Sequence, residues 1–356
     1  MKNFNIKYFL AANSCDGFVS LFSNCYNPKD NWKVYIIKGG PGTGKSSFMK
    51  FLAAKAAEKG IKTVLCPCSS DPDSLDAVIF PEIKKVVLDG TYPHTLDPKF
   101  PAVCEEILNF GEFWNTDKIE CSKEEILSLC ESNSSLHFTA SRYLFAAGEL
   151  LRDSYKIALT CTQKEKAEKV AEKLCKKLIP TSHNKGFEWV RFIGGVTPKG
   201  IVSFTDTLLN SAENTVIIND PFGASSNIIM NKVREYALSR NYEIISVKNP
   251  FLPGTLLDHI LIPKLSLCFA RECEYQQFST NVRRMHARRF TDMHALNLSR
   301  ERLRFNKKIS REMLNEACDT LNKAKAVHDE IEKHYVSAMD FKALSAFAED
   351  FAKRLF

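Results

Sequence analysis

The chain has 356 residues, 44% of them hydrophobic and 26% charged, with 15 Gly and 14 Pro. That length accommodates two domains of ordinary size, and that composition excludes a disordered, collagen-like or low-complexity chain. The net charge of +7 is concentrated: residues 283–311 hold ten Lys/Arg against two acids, Asp292 and Glu301, which leaves the remainder close to neutral.

The N-terminal stretch MKNFNIKYFLAANSCDGF carries only a short apolar run. It falls short of a signal-peptide core, and no stretch reaches the roughly 18 apolar residues of a membrane span, so a cytoplasmic protein is expected. The twelve Cys do not form C-x-x-C pairs; Cys66-Pro67-Cys68 and Cys268-x4-Cys273 have no matching His pair. Such scattered cysteines read as small buried hydrophobes rather than as zinc ligands or disulfides.

In chain order, strands are expected at 8–11, 18–22, 34–37, 63–66 and 86–88, the first two as an added hairpin turned at Gly17. Helices are expected near 45–59, 102–110, 123–130, 138–155 and 163–178. Strands alternating with helices imply βαβ units and a largely parallel sheet.

Between the third strand and the first helix lies KGGPGTGKSS. Gly39-x4-Gly44-Lys45-Ser46 fits the phosphate-loop pattern G-x-x-x-x-G-K-[ST] in its required strand–loop–helix setting. Gly39, Gly40, Pro41, Gly42, Thr43 and Gly44 can turn the backbone so that N–H groups face an anion, and the helix adds its positive N-terminal end. Lys45 supplies a point charge for the β- and γ-phosphates. Ser46, followed by Ser47, can place a hydroxyl in the shell of Mg²⁺, a hard ion that prefers oxygen.

These residues, with SSDPDSLDAVIFPEI and VVLDGTYPH, resemble the P-loop NTPase superfamily, and more narrowly a bacterial family of tandem-duplicated P-loop ATPase-like proteins. The resemblance covers nearly the whole chain. It implies two α/β/α units with mainly parallel sheets, binding ATP with Mg²⁺ and hydrolysing it.

Such a site needs an acid to hold magnesium. Asp89 ends an apolar strand and is the choice for that role, with Asp89-Gly90-Thr91 also readable as turn chemistry. Asp71, Asp73 and Asp76 follow another strand. Asp71 and Asp73 read equally as crevice acids or turn residues, and Asp76 reads as a turn or cap residue. His94 reads either as a proton carrier or as a loop residue.

The chain also repeats itself. DGFVSLF (16–22) resembles KGIVSFT (199–205), PGTGKSSFM (41–49) resembles FGASSNIIM (222–230), LDAVIFPEI (75–83) resembles LDHILIPKL (257–265), and VAEKLCKKLI (170–179) resembles FAEDFAKRLF (347–356). The order is kept and the offset stays between 177 and 183, as tandem duplication would leave it. The units are then about 1–183 and 184–356, joined at a Pro/Gly/polar cluster, 180–186.

In the second unit Gly39, Gly44, Lys45 and Ser46 are matched by Asp220, Ser225, Ser226 and Asn227, and Asp89 by Arg271. This copy is expected not to bind nucleotide. A phosphate there would meet Asp220, with Arg271 compensating only if it reached across. Residues 283–311 read as a polyanion surface for nucleic acid, as an arginine finger for the first loop, or as a solvated helical face. Two further functions remain open on sequence: a kinase using Asp71, Asp73 and His94 around an acceptor, and a nucleotide-gated nucleic-acid-binding module without turnover.

Overall fold

The computed structural model describes residues 6–182 and 185–356, so His183 and Asn184 of the expected junction lie outside the described residues. The first half opens with β1 (Ile6–Lys7) and a hairpin of β2 (Ala11–Ser14) and β3 (Gly17–Ser20). The expected hairpin is there, three residues out of place at its first strand. β4 (Lys33–Lys38) leads through the glycine-rich loop into α1 (Lys45–Glu58). β5 (Val64–Pro67), β6 (Leu75–Phe80), β7 (Lys85–Asp89) and β8 (Glu105–Asn109) follow. Then come α2 (Thr116–Glu120), α3 (Lys123–Thr160) and α4 (Lys164–Leu178).

The second half runs through the same series. It begins with β9 (Phe187–Phe192), the hairpin β10 (Gly194–Thr197) and β11 (Gly200–Ser203), and a short α5 (Thr205–Ser211). β12 (Asn214–Asn219) leads into α6 (Ala224–Ser239), then β13 (Glu243–Lys248), β14 (Leu257–Ile262), β15 (Leu267–Glu272) and β16 (Arg284–His286). It closes with α7 (Met293–Leu298), α8 (Arg300–Ala338) and α9 (Phe341–Leu355).

The two six-stranded sheets have one topology, β1-β5-β6-β7-β4-β8 and β9-β13-β14-β15-β12-β16. They are mixed but mainly parallel: in each sheet five strands run one way, and the exception is β6, antiparallel to both β5 and β7, or β14, antiparallel to both β13 and β15. Connection length explains it. Only Pro81 to Lys84 link β6 to β7, far short of the dozen residues a parallel crossover needs. β6 escapes a pattern search because all six of its residues are buried, leaving no alternation.

The helix expected at 102–110 is the strand β8. Its apolar pairs, Val103-Cys104 and Ile107-Leu108, imitate a helical period, but the segment pairs with β4 at the sheet edge, where Ile107 is left exposed. The helices expected at 123–130 and 138–155 are one helix, α3, because the polar stretch between them lies on its exposed side. Helices cover one face of the first sheet. The other face packs on Leu10, Phe22, Tyr26, Trp32, Leu96 and Cys104, from the hairpin and connecting segments, so a three-layer α/β/α sandwich is not formed there.

α3 and α8, 38 and 39 residues, lie antiparallel: Arg302 meets Asp153 near one end and His334 meets Glu125 near the other. Each spans about 57 Å at 1.5 Å per residue. Such a helix carries the chain away from its own sheet, so the helix after it docks on the other one. Ala167, Ala171 and Cys175 of α4 complete the core of the second sheet, while Leu344, Ala348, Phe351 and Leu355 of α9 complete that of the first. The sequence boundary near 183 is therefore not the packing boundary.

The exchange has pseudo-two-fold symmetry. Phe9 and Phe192 trade backbone hydrogen bonds of 2.8 and 3.1 Å; Gln163 N–H donates to Phe290 O, and Asp340 N–H to Phe113 O, each at 2.7 Å. This is the self-complementary pattern of a two-fold dimer, built within one chain. No helix among the described residues is long and apolar enough to cross a membrane.

Candidate functional site

The loop 39–47 sits at the end of β4, between a β-branched strand and a helix that starts at Lys45. Gly42 and Gly44 take φ of +67° and +82°, a region that disfavours any residue with a Cβ. The glycines also admit the second unit. A Cβ on Gly40 would lie 2.7 Å from the Tyr335 ring, one on Gly42 2.8 Å from Glu332 O, and one on Gly44 2.9 Å from Leu344. The far end of α8 and the start of α9 thus rest on this loop. Among the described residues, no acceptor takes the backbone N–H of Thr43, Gly44, Lys45, Ser46 or Ser47.

Lys45 Nζ donates to Gly39 O at 3.0 Å and Gly40 O at 2.6 Å, and lies 3.6 Å from Asp89 Oδ2. Asp89 both fixes the turn and faces the loop lysine. Its Oδ1 accepts from Thr91 N at 2.9 Å and Thr91 Oγ1 at 2.5 Å, fixing the turn, while Oδ2 faces the lysine. Ser46 Oγ accepts from Leu75 N at 2.9 Å, which ties α1 to the start of β6.

That tie brings in a residue the sequence reading set aside. Asp76 is a buried strand residue, not a turn or cap residue, and lies opposite Asp89, one step beyond the Ala77–Leu88 pairing. His94 Nε2 stands 3.9 Å from Asp76 Oδ1. Its ring stacks on Phe22 at 4.5 Å, and Nε2 has no hydrogen-bond partner among the described residues. Burial, joined by the Asp89 charge, pushes the Asp76 carboxyl up to about 6, while His94, Cys68 and Lys45 pull it back. The signal for Asp76 was in the repeat: LDAVIFPEI and LDHILIPKL both carry Asp at their second position.

Asp71 and Asp73 take the turn reading. Asp71 accepts from Asp73 N and Ser74 Oγ, and both acids meet lysines of the second unit, Lys325 at 3.6 Å for Asp71 and Lys199 for Asp73.

Asp76 also gives a pH-dependent expectation. The native carboxyl holds its proton up to about pH 6, whereas the unfolded chain loses it near 3.9. Between those values the native state binds more protons, so this group's contribution to stability falls as pH rises from about 4 to 6 and stays lost above. Asp76→Asn should therefore stabilise the protein at pH 7.5 by roughly 1–3 kcal/mol relative to pH 4.5. Melting of both proteins without nucleotide or magnesium checks it; a difference that does not change with pH contradicts the assignment.

The second loop keeps the register and changes the chemistry. Asn227 Oδ1 accepts from Leu257 N at 3.0 Å, as Ser46 Oγ does from Leu75 N. Gly223 keeps a φ of +81°, but Ser225, in place of Gly44, is helical, so α6 starts two residues earlier in register than α1. Asp220 turns its carboxylate into the loop. Oδ1 accepts from Phe222 N at 3.2 Å and Gly223 N at 3.0 Å; Oδ2 accepts from Ser226 N at 2.9 Å and Ser225 Oγ at 3.0 Å.

Arg271 does reach across. It donates to Asp220 O at 2.9 Å, to Pro221 O at 3.0 Å and to Asp258 Oδ1 at 2.7 Å. Burial works against its charge, but Cys273, Asp258 and Asp220 outweigh burial and raise its pKa above the ordinary arginine value.

Comparison with protein-family models, curated proteins and solved structures finds no match for this chain. The site therefore stands on its own geometry.

The basic segment is not a finger for the first loop. Arg300 to Arg311 lie at the start of α8, whereas Glu332 and Tyr335 touch the loop from its far end, about 30 Å beyond residue 311 along the helix. Arg284 pairs with Glu272, Arg302 with Asp153 of α3, and Lys307 and Arg311 with Glu274. Arg283, Arg288, Arg289, Arg300, Arg304 and Lys308 are exposed without an ion pair among the described residues. They keep the polyanion reading open as a separate surface.

Proposed function

We propose that the chain is a magnesium-dependent nucleotide-binding protein of the P-loop type that binds and hydrolyses ATP in its first unit, with the second unit as a non-binding scaffold. The observation that carries this reading is the contrast between the loops. The first leaves the amides of residues 43–47 unused; in the second, the amide of Ser226, which corresponds to Lys45, goes to Asp220, and that of Asn227, which corresponds to Ser46, goes to Gly223 O.

The acids support a cation. Asp76 and Asp89 face each other beside a single lysine, an excess of negative charge that a divalent ion would balance. The donors are all oxygen, which suits Mg²⁺, an ion that takes one or two carboxylates, keeps water and binds substrate phosphates. Ser46 and Asp89 would hold it, and it would neutralise phosphate charge. Lys45 and the amides of residues 43–47 would orient the phosphates, and Asp76 with His94, 3.9 Å apart, would receive the proton of an attacking water.

Phosphate release from ATP and Mg²⁺, measured with and without nucleic acid, tests this. Lys45→Ala is expected to weaken ATP binding roughly 10–100-fold, the range for loss of a charge-assisted hydrogen-bonding partner, with the fold intact. Wild-type protein should bind one ATP per chain. Unchanged affinity in Lys45→Ala, or two sites in wild type, overturns the reading. Turnover that requires an added acceptor would convert it to a kinase. Binding without turnover, joined by salt-sensitive DNA or RNA binding, would make it a gated binding module.

A further inference from the structure

We infer that the second loop is a built anion site whose resident ligand is the chain's own Asp220 carboxylate, and that the site will take a free small oxyanion once that carboxylate is removed. Four donors converge on the two oxygens at 2.9–3.2 Å: the amides of Phe222, Gly223 and Ser226 and the hydroxyl of Ser225. The reach matters. An Asx turn engages amides two or three residues on, and Phe222 and Gly223 fit that description. Ser226 lies six residues on, within the first turn of α6, so the carboxylate is also held where a helix N-terminus receives an anion.

Two buried groups beyond that ring belong to the same site. Arg271 is 5% exposed and fixes the loop from outside through the carbonyls of Asp220 and Pro221, leaving the carboxylate's own oxygens to the loop. Ser226 Oγ is fully buried and has no partner among the described residues, at the position where the first loop carries Lys45. The position of Asp220 corresponds to Gly39, so a glycine there is already compatible with a loop of this kind.

The second unit is therefore fixed in an anion-loaded conformation. With its donors occupied by Asp220, the wild-type loop should not take up a free anion. The inference does not depend on the nucleotide reading of the first loop, and its test does not touch that loop.

The test is chemical rescue. Asp220→Gly removes the carboxymethyl group, and formate is the probe that restores one carboxylate in its volume; inorganic phosphate is the second probe, with chloride at matched ionic strength as control. Asp220→Gly should melt several degrees below wild type. Formate or phosphate should raise its melting temperature saturably, as a ligand that binds the native state does, and leave wild type unmoved. Formate alone would mark a site of carboxylate size, phosphate as well a site of phosphate-loop size. No saturable rise with either anion, or an equal rise in wild type, overturns the inference. If Asp220→Gly does not fold, Asp220→Asn decides: its amide sets N–H against N–H at Ser226, so it should also melt lower, and a melting temperature equal to wild type shows that no anion is needed there.

Discussion

Arg271→Met is expected to destabilise the second unit by about 3–5 kcal/mol, the range for breaking a buried ion pair from one side. Asp258 is fully buried, and its Oδ1 receives Arg271 at 2.7 Å. Without the guanidinium, Asp258 keeps only Asn249 Nδ2, at 2.8 Å on its other oxygen. The carbonyls of Asp220 and Pro221 lose their donors as well. Most of the loss is thus the cost of an uncompensated buried charge rather than the worth of the pair. The double variant Arg271→Met with Asp258→Leu should recover most of it, since apolar groups of similar size often replace a buried pair at little cost. Denaturant unfolding of the singles and the double measures the cycle. A loss below about 1 kcal/mol for Arg271→Met, the scale of an exposed pair, would show that the guanidinium is not the counter-charge of Asp258.

The same two positions show how the halves diverge in charge on one backbone. In the second unit, acid and arginine neutralise each other and lock the strand ends to the loop. In the first, acid faces acid, with Lys45 3.6 Å from Asp89 and His94 3.9 Å from Asp76. The buried acid of the second unit is neutralised by one arginine, whereas the two acids of the first share Lys45 and His94. Charge balance across β6–β7 and β14–β15 separates a structural copy from a candidate active one as clearly as the loss of Lys45 does.

Much of this was legible in the sequence, because its signals are local. The loop motif, its strand and helix, Asp89 at a strand end and the degenerate copy all rest on short strings whose spacing carries the meaning. What escaped was set by long-range pairing. β8 takes its state from β4 across the sheet edge, against a helix-like period, and β6 from burial on both faces. Asp76 resembled a turn residue because LDAVIF was not recognised as a strand, and only strand register places it opposite Asp89. Nor can periodicity say on which sheet a terminal helix docks: α4 and α9 have the expected apolar stripes, but a stripe does not name its partner.

That exchange has its own test. Phe351→Ala, five residues before Phe356, is expected to cost about 3–5 kcal/mol, as truncation of a buried aromatic does. Phe351 is 3% exposed and meets Tyr35 at 4.9 Å, Phe48 at 5.4 Å and Phe347 at 5.8 Å between ring centroids. Two of those rings belong to β4 and α1, on either side of the glycine-rich loop, so the loss should appear in the N-terminal half. Hydrogen exchange should speed up in β4, α1 and β7, while β12, α6 and β15, which pack on α4, keep their protection. Because the loop is held between β4 and α1, ATP affinity should fall with the same substitution. Cys175→Phe in α4 is the mirror experiment: overpacking a fully buried position should perturb β12 and α6 and spare the first loop. Faster exchange confined to the C-terminal sheet in Phe351→Ala would mean that each terminal helix packs on its own unit, and the exchanged arrangement would be wrong.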